Sequence, residues 1–172
     1  GIMPDTFVKI ATVTVGSTAV SSMDFNSIPS TYTDLCLKIS SRSTFSGAPG
    51  YENMKLIINS ATGSSRVLFG TGSTAGSTSS GGDIQYLFSS DSDDTSNTFG
   101  NTEVYIPNYA SSIAHSVSAD SVQETNASAA RMSLVAGLTS STSAITSISI
   151  QSNNYGNFVQ YSTATLYGIS KS

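Results

Sequence analysis

His115 is the only histidine in the 172 residues, so any Ser-His-Asp chemistry has to run through it. Such a triad needs the imidazole held by a carboxylate and facing an exposed hydroxyl. Serine is so abundant that one near His115 carries no information, and no Gly-x-Ser-x-Gly elbow occurs. The imidazole is therefore read as a surface or partly packed side chain, and the chain as a non-enzyme. Asp91, Asp93 and Asp94, with Ser92 and Asn97 nearby, place several oxygen donors in one short stretch, the donor type that calcium takes. The glycine and the distal glutamate of an EF-hand loop are missing, and the reading adopted is an acidic surface loop. Gly70-Thr71-Gly72-Ser73-Thr74-Ala75 spells a loose dinucleotide fingerprint. That chemistry requires a helix N-terminus directly afterwards, which Gly76 to Gly82 cannot supply. A glycosidase needs two opposed carboxylates, and eleven scattered acids identify no pair. Asn126-Ala127-Ser128 is a glycosylation spelling that arises often by chance. Eight tyrosines could stack on sugars or anchor an interface, but strand composition accounts for most of them. No residue is assigned a catalytic, cofactor-binding or metal-ligating role.

Composition narrows the classes further. Only 10% of residues are charged, 38% are hydrophobic, and the formal net charge is −4. The seven Lys and Arg residues are scattered singly, so there is no basic stripe to neutralise phosphates and no nucleic-acid partner is expected. Cys36 is alone and is expected to pack as a small apolar side chain. No apolar run approaches the roughly 20 residues that span a bilayer, so no membrane partner is expected. Residues 1–172 are read as a single β-sandwich domain, with 1–6 as an N-terminal extension or expression remnant.

The elements that would position these residues announce themselves by period two. Leu35, Leu37 and Ile39 fall on one side of an extended segment, and Asp34, Cys36, Lys38 and Ser40 on the other, a pattern no helix can satisfy. Phe7 to Val15, Glu52 to Asn59, Ile84 to Phe88, Ser116 to Val122, Met132 to Ala136 and Phe158 to Ile169 repeat it. Ala61 to Ser65 and Gly137 to Ser143 read as hairpin turns. Gly70 to Asp83, nearly all Gly, Ser, Thr and Ala, reads as a surface loop or an edge strand ordered by a neighbour. Ser121 to Glu124 has the capping-box spelling, which allows a short helical turn running on to Ala130. The expected fold is all-β: a two-sheet antiparallel sandwich, jelly-roll-like, of about nine to ten strands.

Three segments carry a resemblance: Ile28-Pro29-Ser30-Thr31-Tyr32-Thr33-Asp34-Leu35, Asn97 through Thr98-Phe99-Gly100-Asn101-Thr102-Glu103-Val104-Tyr105-Ile106-Pro107-Asn108-Tyr109 to Ala110, and Asn157-Phe158-Val159-Gln160-Tyr161-Ser162-Thr163-Ala164-Thr165-Leu166-Tyr167-Gly168-Ile169. In order along Phe7 to Ile169, they resemble small structural proteins of tailed bacteriophages, particularly those infecting cyanobacteria and other aquatic bacteria. The resemblance implies a virion location, no cofactor and no catalytic residue. It favours a capsid decoration, or cement, protein that forms a homotrimer on the major capsid protein. A receptor-binding tail-fibre tip or carbohydrate-binding domain that grips a host surface glycan is the alternative, but neither heptads nor shaft repeats are present. A glycan-modifying virion enzyme is a third reading.

Overall fold

The computed structural model describes residues 6–47, 52–124, 130–153 and 156–170. Among these residues there is no helix and there are twelve strands, against the nine to ten expected. They are β1 (Phe7–Thr14), β2 (Ser22–Phe25), β3 (Asp34–Ser41), β4 (Glu52–Ile58), β5 (Gly63–Thr71), β6 (Thr74–Gly82), β7 (Ile84–Ser89), β8 (Gly100–Ile106), β9 (Ser116–Glu124), β10 (Ala130–Thr139), β11 (Ile148–Ser152) and β12 (Thr163–Ile169). An eight-stranded sheet runs β1-β12-β3-β8-β9-β10-β5-β6, and a four-stranded sheet runs β2-β11-β4-β7, with every ladder antiparallel.

Alternation explains the two layers. Leu35, Leu37 and Ile39 of β3 turn inward beside Val104 and Ile106 of β8 and Leu166 of β12. Met23, Phe25, Met54, Leu56, Ile58, Leu87, Ile148 and Ile150 of the smaller sheet complete the same core. Each such side chain contributes about 1.5–3 kcal/mol on leaving water, and a one-residue slip would turn the whole row to solvent, so the register is fixed.

Several sequence expectations are corrected. Ala61 to Ser65 and Gly137 to Ser143 are not hairpin turns, because β4 and β5, like β10 and β11, belong to different sheets. Alternation reveals which residues are buried but not which sheet receives them. Ser121 to Glu124 is the end of β9, and the rest of the proposed helical turn, with the sequon, falls on 125–129, outside the described residues. Phe158 to Ile169 is not one strand: Tyr161 has φ of 72°, which breaks the ladder before β12 begins. Gly70 to Asp83 proves to hold an edge strand. Its Gly72 (φ 57°) turns β5 back into β6, and no helix follows the glycines.

The three segments that carry the resemblance meet at one end of the sandwich. The Asp34 carboxylate accepts from the Tyr105 hydroxyl (2.6 Å) and from the Asn108 backbone N–H (2.8 Å). Tyr109, fully buried, donates its hydroxyl to the Pro29 carbonyl and accepts from the Tyr32 N–H. Thr33 N–H donates to the Ile169 carbonyl at 2.8 Å.

Candidate functional site: the outer face of the larger sheet

The larger sheet has twice the strands of the smaller one, and its outward side chains change character from one flank to the other. Around β3 and β12 they are polar or packed. Along β10, with one residue each from β9 and β5, they are aliphatic: Met132 lies opposite Val122, Leu134 lies opposite Leu68, and Leu138 follows on the same face. All five are exposed, Leu68 at 63%. They form one strip, because side chains two apart on β10 share a face and their cross-strand partners stand beside them. Single exposed apolar residues are ordinary, whereas a contiguous row marks a surface that meets something.

Small residues make the strip concave. Ser77, Ser79, Ser118 and Ala136, with Arg66, Leu68 and Leu134, border a groove of about 680 Å³. Two opposite charges flank it: Arg66 stands across the ladder from Ala136, and Asp120 stands on the other side, across from Leu134. Neither makes a salt bridge among the described residues; the acid next to Asp120, Glu103, is taken by Lys38.

Beyond the strip the sheet ends at β6, which is hydrogen-bonded on one side only. Its nine residues include no charge and no proline, so the free N–H and C=O row has no guard. The other edges are protected. β1 carries Lys9 and a register shift, β2 has four residues, and β7 contains Tyr86 at φ 72° beside a register shift in β4.

The residues singled out from sequence lie elsewhere. His115 is 1% exposed, not at the surface; its Nε2 sits 3.1 Å from the Ser143 carbonyl, and among the described residues no serine hydroxyl is bonded to the ring. Asp91 and Asp94 are buried, which overturns the surface-loop reading, while Asp93 is exposed and accepts from Gly47 N–H at 2.6 Å. Burial pushes the Asp91 carboxyl above its usual range, and the N–H of Asp93 works against the shift. Ser92 donates to the Phe45 carbonyl, and Asn97 is an exposed turn residue at φ 63°. Glu103 and Asp120 are ladder neighbours on the open face, the one carboxylate pair the described strands set directly opposite each other. Glu103 is 41% exposed and ion-paired, which is unlike a buried general acid. Tyr51 and Tyr155 lie outside the described residues, and of the other tyrosines only Tyr161 is fully exposed. The strip was missed from sequence because Leu134, Met132 and Leu138 alternate with residues that are small and buried, Ser133, Val135 and Gly137. Period two alone does not say which of the two faces is covered.

Cys36 belongs to the outer face, in register between Tyr105 and Tyr167, yet it is 1% exposed. Burial raises its thiol above the ordinary 9.0, against the pull of Lys38. The Tyr105 hydroxyl is raised above 10.0 by its bond to Asp34, and the Tyr109 hydroxyl by burial. All three favour the protonated form in the fold, so their contribution is complete below the unfolded values and is lost as pH rises through the folded ones. Chemical denaturation should therefore show stability falling above about pH 9, with Cys36 becoming reactive to thiol reagents only as the chain unfolds. A flat stability profile from pH 8 to 11 would contradict this assignment. Among the described residues no helix is long and apolar enough to cross a membrane. In comparisons with known proteins, no family model matches this chain, and no curated protein or solved structure is similar enough to count as a relative.

Proposed function

We propose that this chain is a structural coat protein of a phage particle, a decoration protein that associates with further copies of itself on the shell. The observation that carries the proposal is the aliphatic strip of Leu68, Val122, Met132, Leu134 and Leu138 beside the unguarded strand β6. The resemblance of the three segments supplies the phage context. The strip fits protein better than sugar: sugar binding uses flat aromatic platforms, and the exposed side chains are aliphatic.

The occupant of the face is the next copy of the same chain, placed head to tail. Arg66 on one flank and Asp120 on the other are complementary only between different copies, and such a contact closes when the rotation makes a ring, here a trimer. The strand order favours an elaborated jelly roll, a fold frequent in viral coats. β2-β11-β4-β7 reads as the B-I-D-G sheet of that fold, and β3, the β8-β9-β10 meander, β5 and β6 read as C-H-E-F with H expanded.

Light scattering on the purified 17.8 kDa chain should give the mass of three copies, and the protein should be retained on shells stripped of it. A stable monomer that ignores such shells would remove the proposal. A glycan array should be blank; specific glycan binding would favour the tail-tip reading instead.

A further inference from the structure

Among the described residues four buried side-chain atoms have no hydrogen-bond partner: Ser90 Oγ, Asp91 Oδ2, Gln123 Oε1 and His115 Nδ1. Such orphans are rare in folded proteins, and each costs a desolvation penalty that something has to offset. Three of the four are oxygens of residues along, or touching, the stretch Ser90 to Asp94. Ser90 and Asp91 are 0% exposed, and Gln123 is 1% exposed. Asp91 Oδ1 accepts from the Asp93 N–H at 3.0 Å, which leaves Oδ2 bare. Gln123, reaching in from the inner face of β9, holds Asp94 Oδ2 with its Nε2, so its own Oε1 lies within an amide's width of that carboxylate. The same Asp94 oxygen accepts from the Asp91 N–H at 3.0 Å, which draws the two acids together.

Arg42, which reaches the backbone of this stretch, spends its guanidinium on the carbonyls of Asp94, Thr95 and Thr98 and on the Thr98 hydroxyl. Neither Asp91 nor Asp94 makes a salt bridge among the described residues.

We propose that this corner binds a calcium ion, with the Asp91 and Asp94 carboxylates and the Gln123 amide oxygen as protein ligands. The donors are all hard oxygens, the set calcium takes, with none of the imidazole or thiolate ligands that zinc, copper and other transition metals prefer. Two carboxylates completed by neutral oxygens and water suit a site of modest affinity, such as extracellular modules use. The ion would tie the Ser90 to Thr98 connection to β9, two elements that no ladder joins. Ser92 and Asn97, which sequence spacing put beside the acids, take no part.

The test uses the full chain treated with a chelator and then titrated with calcium chloride, with sodium chloride matched for ionic strength. Calcium should raise the thermal midpoint in a saturable way up to millimolar concentration, magnesium should do so less, and calorimetry should register one site. Asp91→Asn should abolish the calcium-dependent rise. Gln123→Ala, which lies outside the connection, should weaken calcium binding at least about 10-fold, the usual scale for loss of a ligand or its support. No calcium-dependent rise in the unaltered chain, or the same rise in both variants, would overturn the site. The result does not depend on the coat reading, since binding is measured on the isolated chain.

Discussion

Replacing Leu134 by aspartate should break the trimer into monomers while leaving the sandwich folded. Leu134 is 52% exposed in the isolated chain, so the substitution removes little core packing there. In the assembly the same position faces the next copy, and an unpaired carboxylate would be buried at the centre of the strip. Burying a charge without a partner costs several kcal/mol, and each 1.4 kcal/mol is about tenfold, so association should weaken by more than about 100-fold. Asn26→Asp, on the polar outer surface of the smaller sheet, introduces the same charge where no contact is proposed and should change nothing. Analytical ultracentrifugation reads both variants. A Leu134→Asp protein that still sediments as a trimer would exclude this face as the interface. Arg66→Glu tests the flanking pair: charge reversal places two acids together, and adding Asp120→Arg should restore part of the loss.

The layers of the fold were legible in the sequence because the apolar residues of β3 recur with period two on its inner side. Leu35, Leu37 and Ile39 point inward as their spacing requires, and Cys36, on the opposite side, is buried only because Tyr105 and Tyr167 stand in register with it. What was not legible depends on pairing across long separations. Thr139 and Ile148 are nine positions apart and belong to different sheets, a fact no local pattern encodes. The acidic stretch was misjudged for a related reason. Asp91 and Asp94 look like solvent-facing acids until Gln123, some thirty positions away, is brought against them. The apolar strip was hidden by its own regularity: β10 has side chains with reason to be buried on both of its faces, and only the shortage of a second layer on one side identifies which are exposed.

Gly168→Ala should be among the most destabilising single substitutions in the protein, although it adds one methyl group. A Cβ at Gly168 would lie 2.2 Å from Cδ2 and 2.3 Å from Cγ of Tyr32, atoms at the root of the ring that cannot swing away as a side-chain tip could. The backbone at Gly168 is ordinary strand paired with Val8 and Leu35, so the penalty is steric and not conformational. Relief requires Tyr32 to leave its place, and Tyr32 N–H donates to the Tyr109 hydroxyl, which in turn is anchored on Pro29. Overpacking of this kind costs about 3 kcal/mol, and for a chain of this length the thermal midpoint should drop by roughly 10 °C. Tyr32→Ala should be destabilising alone, because it opens a cavity and uncovers Gly168. In the Tyr32→Ala background, however, adding Gly168→Ala should cost almost nothing further, since the atoms that collided are gone. If the two losses were simply additive, the ring would not be what reserves this position for glycine.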